Sequence, residues 1–184
     1  VSSLSTYIGT SGPVIAEGGA VVGFPWKLTF ILGEKVPEKA ISLMREMGFT
    51  EAGSNKYRHV DLAFHRNGVT LEVEEIEKTL RNHKVYVEVR DSGYAVHLTP
   101  EGINKGKGLT KAVEWLDHSL EETAVIGDST FDAPMYKVAG FSGASKQGPE
   151  SLRQLSTILV NGTHAEAFVE FANLFLERKE SAPT

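Results

Sequence analysis

Residues Ala124 to Tyr136 read Ala-Val-Ile-Gly-Asp-Ser-Thr-Phe-Asp-Ala-Pro-Met-Tyr. The apolar run up to Ile126 has the length of a short buried strand, and Asp132 to Val138 reads as a short helix, with Gly127 marking the break between them. A strand that passes at once into a helix is the unit of an open α/β sheet, and ligands collect beyond the carboxyl ends of such strands. Asp128 and Asp132 stand four apart across that turn, so both carboxylates can point into one crevice. Carboxylates held close repel each other, and a hard divalent cation with oxygen ligands relieves the repulsion. The plainer reading is that Asp128 caps the turn and Asp132 caps the helix behind it, as aspartate often does. Spacing alone leaves both readings open.

Outward from this stretch the pattern is regular. After Thr99 the chain predicts helix at Leu109–Leu120, strand at Thr123–Ile126, helix at Asp132–Val138 and strand at Gly140–Ala144. Helix at Pro149–Leu155, strand at Thr157–Val160 and helix at Ala165–Arg178 complete it. Alternation of this kind makes a mostly parallel sheet with crossover helices, a Rossmann-like α/β core. Upstream the texture differs. Residues 13–17 and 20–24 form a hairpin around Gly18-Gly19, followed by a strand at 27–33 and a helix from Val36 to Met47. A strand over His59–His65, a helix over Leu71–Leu80, and paired strands at Lys84–Val89 and Tyr94–Leu98 come next. The expected organisation is an α/β core of residues 1–24 and 98–184 with a separate α+β region inserted at 25–97.

Composition limits the chemistry. With no cysteine there is no disulfide framework, no thiolate nucleophile and no Cys-based zinc site, and a cytoplasmic location is the simplest expectation. The net charge of −5 argues against a nucleic-acid partner, which favours a basic face. Apolar runs such as Ala20–Phe24 are far too short for a membrane span, so no membrane partner is expected.

A second segment bears on an anionic ligand. Gly102 to Leu109 reads Gly-Ile-Asn-Lys-Gly-Lys-Gly-Leu, placing Lys105 among glycines just ahead of a predicted helix. An ammonium there suits a phosphate, although lysines in glycine-rich turns are commonly only solvated. Neither segment has the glycine spacing of a P-loop or a dinucleotide fingerprint.

Taken together and in order, these segments resemble the haloacid dehalogenase superfamily of phosphatases. Lys105 in a GxxKGxxL turn and the later GDSxxDxxM run are similar to that superfamily's third and fourth motifs. The hairpin GPVIAEGGAVV resembles the PxIxENGA segment with which the Cof-like branch enters its cap, and SGYAVHLTPEG resembles the return. The resemblance covers essentially the whole chain and is nearest to the archaeal phosphoglycolate phosphatase group, with a C2-type cap. It implies a Mg²⁺-dependent phosphomonoester hydrolase acting on a small phosphorylated metabolite such as phosphoglycolate. Lys105 would bind the phosphoryl group, Asp128 would ligate Mg²⁺, and Asp132 would ligate it or orient its water. The family's nucleophile and its acid/base partner come from an Asp-x-Asp motif, which occurs nowhere in residues 1–184. That motif is expected upstream of Val1, which leaves the 184-residue chain inactive by itself.

Three positions depart from the family's pattern. Phe131 stands where asparagine usually precedes the second aspartate, Gly18 stands for asparagine before Gly-Ala, and Ala144–Gln147 replaces a Met-Gly-Asn-Ala run. The alternatives are a sugar-phosphate phosphatase of the same superfamily and a non-catalytic metal- or sugar-phosphate-binding module. A GDSL-type serine esterase built on Gly127-Asp128-Ser129 is disfavoured, since His164, the late histidine, has no aspartate three residues before it. His59 and His65 could share a strand face, but no third zinc ligand is apparent. Within the cap, Arg58, His59, Asp61, Arg66 and Arg90 are polar candidates for substrate contact, with solvated surface the plainer reading of each. A homodimer is compatible with the family.

Overall fold

The computed structural model describes residues 2–24 and 29–181. The chain divides into two compact units, Val1–Asn104 and Lys105–Thr184, each with its own core.

The first unit opens with a short helix α1 (Ser2–Ile8) and then the expected hairpin, β1 (Val14–Ala16) and β2 (Val21–Gly23). Strand β3 (Thr29–Ile31) pairs antiparallel with β2, giving a three-stranded sheet of order β1-β2-β3. Residues 27–28 of the expected strand lie outside the described residues. The hairpin turn is fixed by Glu17, whose backbone sits at φ +50°. A left-handed conformation is uphill for a residue with a Cβ, and here side-chain bonds hold it. The Glu17 carboxylate accepts the amide N–H groups of His59 (2.9 Å), Val60 (2.7 Å) and Asp61 (3.2 Å).

Helix α2 (Lys39–Glu46), strands β4 (Thr50–Glu51) and β5 (Leu62–His65), helix α3 (Val73–Asn82), and strands β6 (Val87–Asp91) and β7 (Val96–Pro100) follow. The strands form an antiparallel sheet of order β4-β5-β7-β6. Alternate residues Leu62, Phe64, Val87, Val89, Val96 and Leu98 pack against Ala40, Leu43 and Met44 of α2 and Ile76 and Leu80 of α3. The two-residue and 3.6-residue periods meet there and remove the apolar stripe of each helix from water. Helix α3 starts on a capping box in which the Glu75 carboxylate accepts the Glu72 N–H at 2.9 Å.

Boundaries depart from the sequence reading for local reasons. Strand β6 begins three residues late because Lys84 takes a left-handed turn, φ +61°, at the end of α3. Strand β7 begins two residues late because Tyr94 lies in a turn closed by the Ser92 N–H to the Ala95 carbonyl at 3.0 Å. Strand β5 starts at Leu62, since the amides of residues 59–61 are bound to Glu17 instead of a neighbouring strand.

The second unit is the expected α/β alternation: α4 (Lys105–Trp115), β8 (Ala124–Ile126), α5 (Ala133–Tyr136), β9 (Phe141–Ser145), α6 (Glu150–Leu155), β10 (Ile158–Val160) and α7 (His164–Ser181). Its sheet is parallel, in the order β10-β9-β8. One core joins Val125, Tyr136, Ala144 and Leu152 with Leu109 and Met135, and another joins Phe141, Val160, Ala167 and Phe171. Phe171 stacks on Phe141 at 5.5 Å between ring centroids, and Gly143 leaves room for it, since a Cβ there would lie 2.3 Å from the Phe171 ring.

Candidate active site

Strand β8 ends at Ile126, and the chain turns through Gly127, Asp128 and Ser129 into a short 3-10 turn (Thr130–Asp132) before α5. This is a capping box. The Ser129 hydroxyl accepts the Phe131 N–H at 3.3 Å, and Asp132 Oδ2 accepts the Ser129 N–H at 3.1 Å. The same oxygen accepts the Asp128 N–H at 3.1 Å. Asp132 thus caps backward onto its own turn, and its side chain makes no cap bond to the following helix.

Gly127 is required by this packing. A Cβ at residue 127 would lie 2.5 Å from Asp132 Oδ2 and 2.6 Å from its Cβ, closer than atoms can approach. Asp132 is 4% exposed. Such a carboxylate costs several kcal/mol in a low-dielectric site unless it is neutralised and hydrogen-bonded (about 3–5 kcal/mol when a partner is removed). The countercharge is Lys105, whose Nζ lies 2.5 Å from Asp132 Oδ1.

The structure therefore brings Lys105 and Asp132 together as an ion pair and sets Asp128 beside them on the same turn. Asp128 differs from Asp132: it is exposed, and among the described residues its carboxylate makes no hydrogen bond or ion pair. It lines a cavity of about 420 Å³ beyond the carboxyl ends of β8 and β9, shared with Gly127, Ser145, Gly148 and His164. One carboxylate is spent on holding the turn and the lysine, and the other is free to bind.

Tyr136 was not a sequence candidate, and it supports the turn from below. Its hydroxyl accepts the Gly127 N–H at 2.8 Å and lies 2.7 Å from the Gly143 carbonyl, to which it donates. Burial pushes its phenol up to about 12, with Asp132 and Asp128 adding to the shift against the Gly127 hydrogen bond. It stays a neutral donor throughout the working range of a protein. The sequence offers only an aromatic residue at a helical position, which reads as ordinary core.

For a hard divalent cation, the donors present are of the right kind and incomplete in number. Carboxylate oxygens are what Mg²⁺ takes. Among the described residues no group of three His, Cys, Asp or Glu side chains could hold a metal. Asp128 has its full capacity available, and Asp132 already carries three partners, so together they fit part of a coordination sphere. The zinc pairing fails more simply, because His59 lies before β5 and bonds to Glu17, away from His65 on the strand. The Ser129 hydroxyl accepts the Phe131 N–H as part of the capping box.

Four of the five polar candidates of the first unit are tied into ion pairs, and the fifth, His59, lies against a carboxylate. Arg58 binds Asp61, Arg66 binds Asp91, Arg90 binds Glu88, and His59 meets Glu17. Among the described residues no helix is long and apolar enough to cross a membrane.

Comparison with known proteins identifies the family. A family model for haloacid dehalogenase-like hydrolases matches residues 58–171. The chain is 33% identical over 175 residues to a phosphoglycolate phosphatase of Methanosarcina acetivorans, covering 94% of this chain and 76% of that one. It is 28% identical over 185 residues to a phosphoglycolate phosphatase of Methanopyrus kandleri, covering 97% and 78%. Among solved structures, a Thermoplasma acidophilum protein superposes with a TM-score of 0.79 at 20% identity, covering 95% of this chain and 76% of that one. A phosphatase of the haloalkanoate superfamily from Bacteroides thetaiotaomicron superposes with a TM-score of 0.72 at 16% identity, covering 95% and 78%. The mixed fold of parallel and antiparallel sheets is theirs as well, and the chain belongs to the haloacid dehalogenase-like hydrolases and, within them, to the phosphatases.

Proposed function

We propose that the protein is a Mg²⁺-dependent phosphatase of the cytoplasm that hydrolyses a small phosphorylated acid of the phosphoglycolate type. The observation that carries this reading is the division of labour at the end of β8, where Lys105 and Asp132 form a built ion pair beside an exposed, unpartnered Asp128. In this reading residues 1–24 and 98–184 supply the core and 25–97 the cap.

Lys105 keeps its compact ammonium at the site because Asp132 holds it there, and with 38% of its side chain exposed it can meet a phosphoryl oxygen. Asp132 also fixes the Asp128 and Ser129 amides, so the turn does not reorganise when charge develops. Asp128 would hold the magnesium ion with Asp132 behind it, and when bound the ion supplies positive charge against the phosphoryl oxygens. Residues 1–184 contain no Asp-x-Asp, so the nucleophile of an aspartyl-phosphate mechanism would have to come from outside them. A carboxylate cannot approach a phosphate dianion without countercharge, and that is the role given to Lys105.

The names of the relatives favour phosphoglycolate over a sugar phosphate. The test is phosphate release from phosphoglycolate by the full-length protein, with and without Mg²⁺. Release that needs Mg²⁺ and stops on chelation is expected. Release unaffected by chelation would defeat the metal assignment, and no release from any small phosphomonoester would defeat the reading.

A further inference from the structure

The sequence contains two Asn-Gly pairs, Asn67-Gly68 and Asn161-Gly162. Asparagine before glycine is chemically labile, because glycine has no side chain to keep its amide nitrogen away from the neighbouring asparagine Cγ. The two pairs sit in opposite surroundings.

Asn67 and Gly68 are the central residues of a tight turn that follows β5. Both have positive φ, +48° and +85°, and the Val69 N–H closes the turn on the Arg66 carbonyl at 2.9 Å. Two consecutive left-handed residues make a type I′ turn, for which Asn-Gly is the favoured pair. Both residues are exposed, and a Cβ added at residue 68 would meet nothing within 4 Å. The Gly68 N–H has no partner among the described residues. The Asn67 side-chain amide donates to the Thr50 hydroxyl, and among the described residues that side chain makes no other bond.

Asn161 and Gly162, between β10 and α7, are held on every side. Glu170 Oε2 accepts the backbone N–H groups of Asn161 (2.9 Å) and Gly162 (3.0 Å), and Oε1 accepts the Asn161 side-chain amide (3.1 Å). Lys146 Nζ donates to Asn161 Oδ1 at 2.6 Å, and the Ser145 hydroxyl donates to the Gly162 carbonyl at 2.8 Å. The Gly162 N–H is foremost among the contacts that keep the Glu170 carboxyl below its ordinary value. A Cβ at residue 162 would lie 2.7 Å from the Ala167 nitrogen, so this backbone is packed against the first turn of α7.

Cyclisation needs the asparagine to rotate out of its folded conformation, and local opening is easiest where few bonds hold the chain. Freeing residues 67–68 breaks one turn bond and one bond between neutral side chains. Freeing 161–162 breaks all the bonds to Glu170 and Lys146, each with a charged partner and so stronger.

We propose that Asn67 is a site of spontaneous deamidation in the folded protein, and that Glu170 protects Asn161 from the same reaction. The Gly68 nitrogen attacks Asn67 Cγ, the N–Cγ bond forms as the Cγ–Nδ2 bond breaks, and ammonia leaves with the proton that Gly68 gives up. Water then opens the cyclic imide at either carbonyl, giving aspartate or isoaspartate. Either product puts a carboxylate where an amide donated to Thr50. The isoaspartyl form also adds one methylene to the main chain, next to the Val69 and Leu71 carbonyls that Arg66 holds at 3.1 and 2.8 Å.

The test is incubation of the full-length protein at mildly alkaline pH, with the mass gain of deamidation located by peptide mass spectrometry. A second sample is kept in guanidinium chloride. In the folded protein Asn67 should convert about tenfold or more faster than Asn161, whereas the unfolded chain should convert both at similar rates. Methyl label from an isoaspartyl methyltransferase should enter the peptide carrying residue 67 and be lost in Asn67→Gln. In folded Glu170→Ala, conversion at Asn161 should rise severalfold while that at Asn67 stays unchanged. Equal rates at the two sites in the folded protein, or an Asn67 that stays intact while the unfolded chain converts, overturns the proposal. An unchanged Asn161 rate in folded Glu170→Ala overturns the protection by Glu170.

Discussion

Each unit of the molecule buries one aspartate against a cation, and the two are solved differently. Asp61, 2% exposed, accepts with both oxygens from one guanidinium nitrogen of Arg58, Nη1, and His97 lies alongside. Asp132, 4% exposed, is met by the single ammonium of Lys105 and by two amides of its own turn. A planar guanidinium also held at Nε by Ser54 keeps its direction, whereas an ammonium on a flexible stem acts as a point charge that can be shared with an incoming phosphoryl group. The buried pair alone does not mark a reaction centre, since both units have one. What distinguishes the second unit is the exposed carboxylate of Asp128 on the same turn.

If that contrast is right, breaking the Arg58–Asp61 pair should cost mainly stability. Arg58→Ala leaves Asp61 buried with only His97 as a partner, and a loss of about 3 kcal/mol is expected in urea unfolding at neutral pH. The acid side gives the sign. Asp61 has a folded-state value held below its ordinary 3.8, so its contribution is fully present above that value and is lost as pH falls through the folded one. The difference between parent and variant should therefore shrink in unfolding measured near pH 3, and a difference that grows on acidification would show that Asp61 is not the cause.

Breaking the point charge should cost turnover. Lys105→Ala is expected to lower kcat of the full-length enzyme by about two orders of magnitude, the range for losing one electrostatic stabiliser. Lys105→Arg should recover little of it, because the wide fork does not fit where a compact ammonium stood. Full activity in Lys105→Arg would mean that Lys105 serves only to neutralise Asp132.

These two sites were unequally visible in the sequence. The Asp128–Asp132 turn could be read from one short stretch, because strand, turn and helix are contiguous and every bond of the capping box is local. Lys105 was found by its glycines, yet the helix was expected to begin four residues later. It begins at Lys105 because Gly106 and Gly108 are buried in packing, and close contact overrides their poor helix propensity. The Arg58–Asp61–His97 cluster gave no such signal. Its members come from a loop and a strand 36 residues on, and only the Ala63–His97 register and the Glu17 clasp on residues 59–61 bring them together. Pairings of that kind belong to tertiary structure, and no periodicity announces them.

Tyr136 sets the smallest expected effect. Tyr136→Phe removes the hydroxyl that joins Gly127 to Gly143 and should cost about 1 kcal/mol of stability, as a lost buried hydrogen bond does. Turnover should fall only severalfold, because Asp132 still holds the turn. A loss as deep as that of Lys105→Ala would move Tyr136 from support into the chemistry.

Asp128 provides the most direct test, because among the described residues its carboxylate makes no hydrogen bond or ion pair. The measurement is Mg²⁺-dependent phosphate release from phosphoglycolate by full-length Asp128→Asn beside the parent, with circular dichroism and urea unfolding recorded on both. Unchanged stability with turnover lowered by about two orders of magnitude or more is predicted. A folded variant that releases phosphate at the parental rate would contradict the assignment of this turn as the phosphatase site.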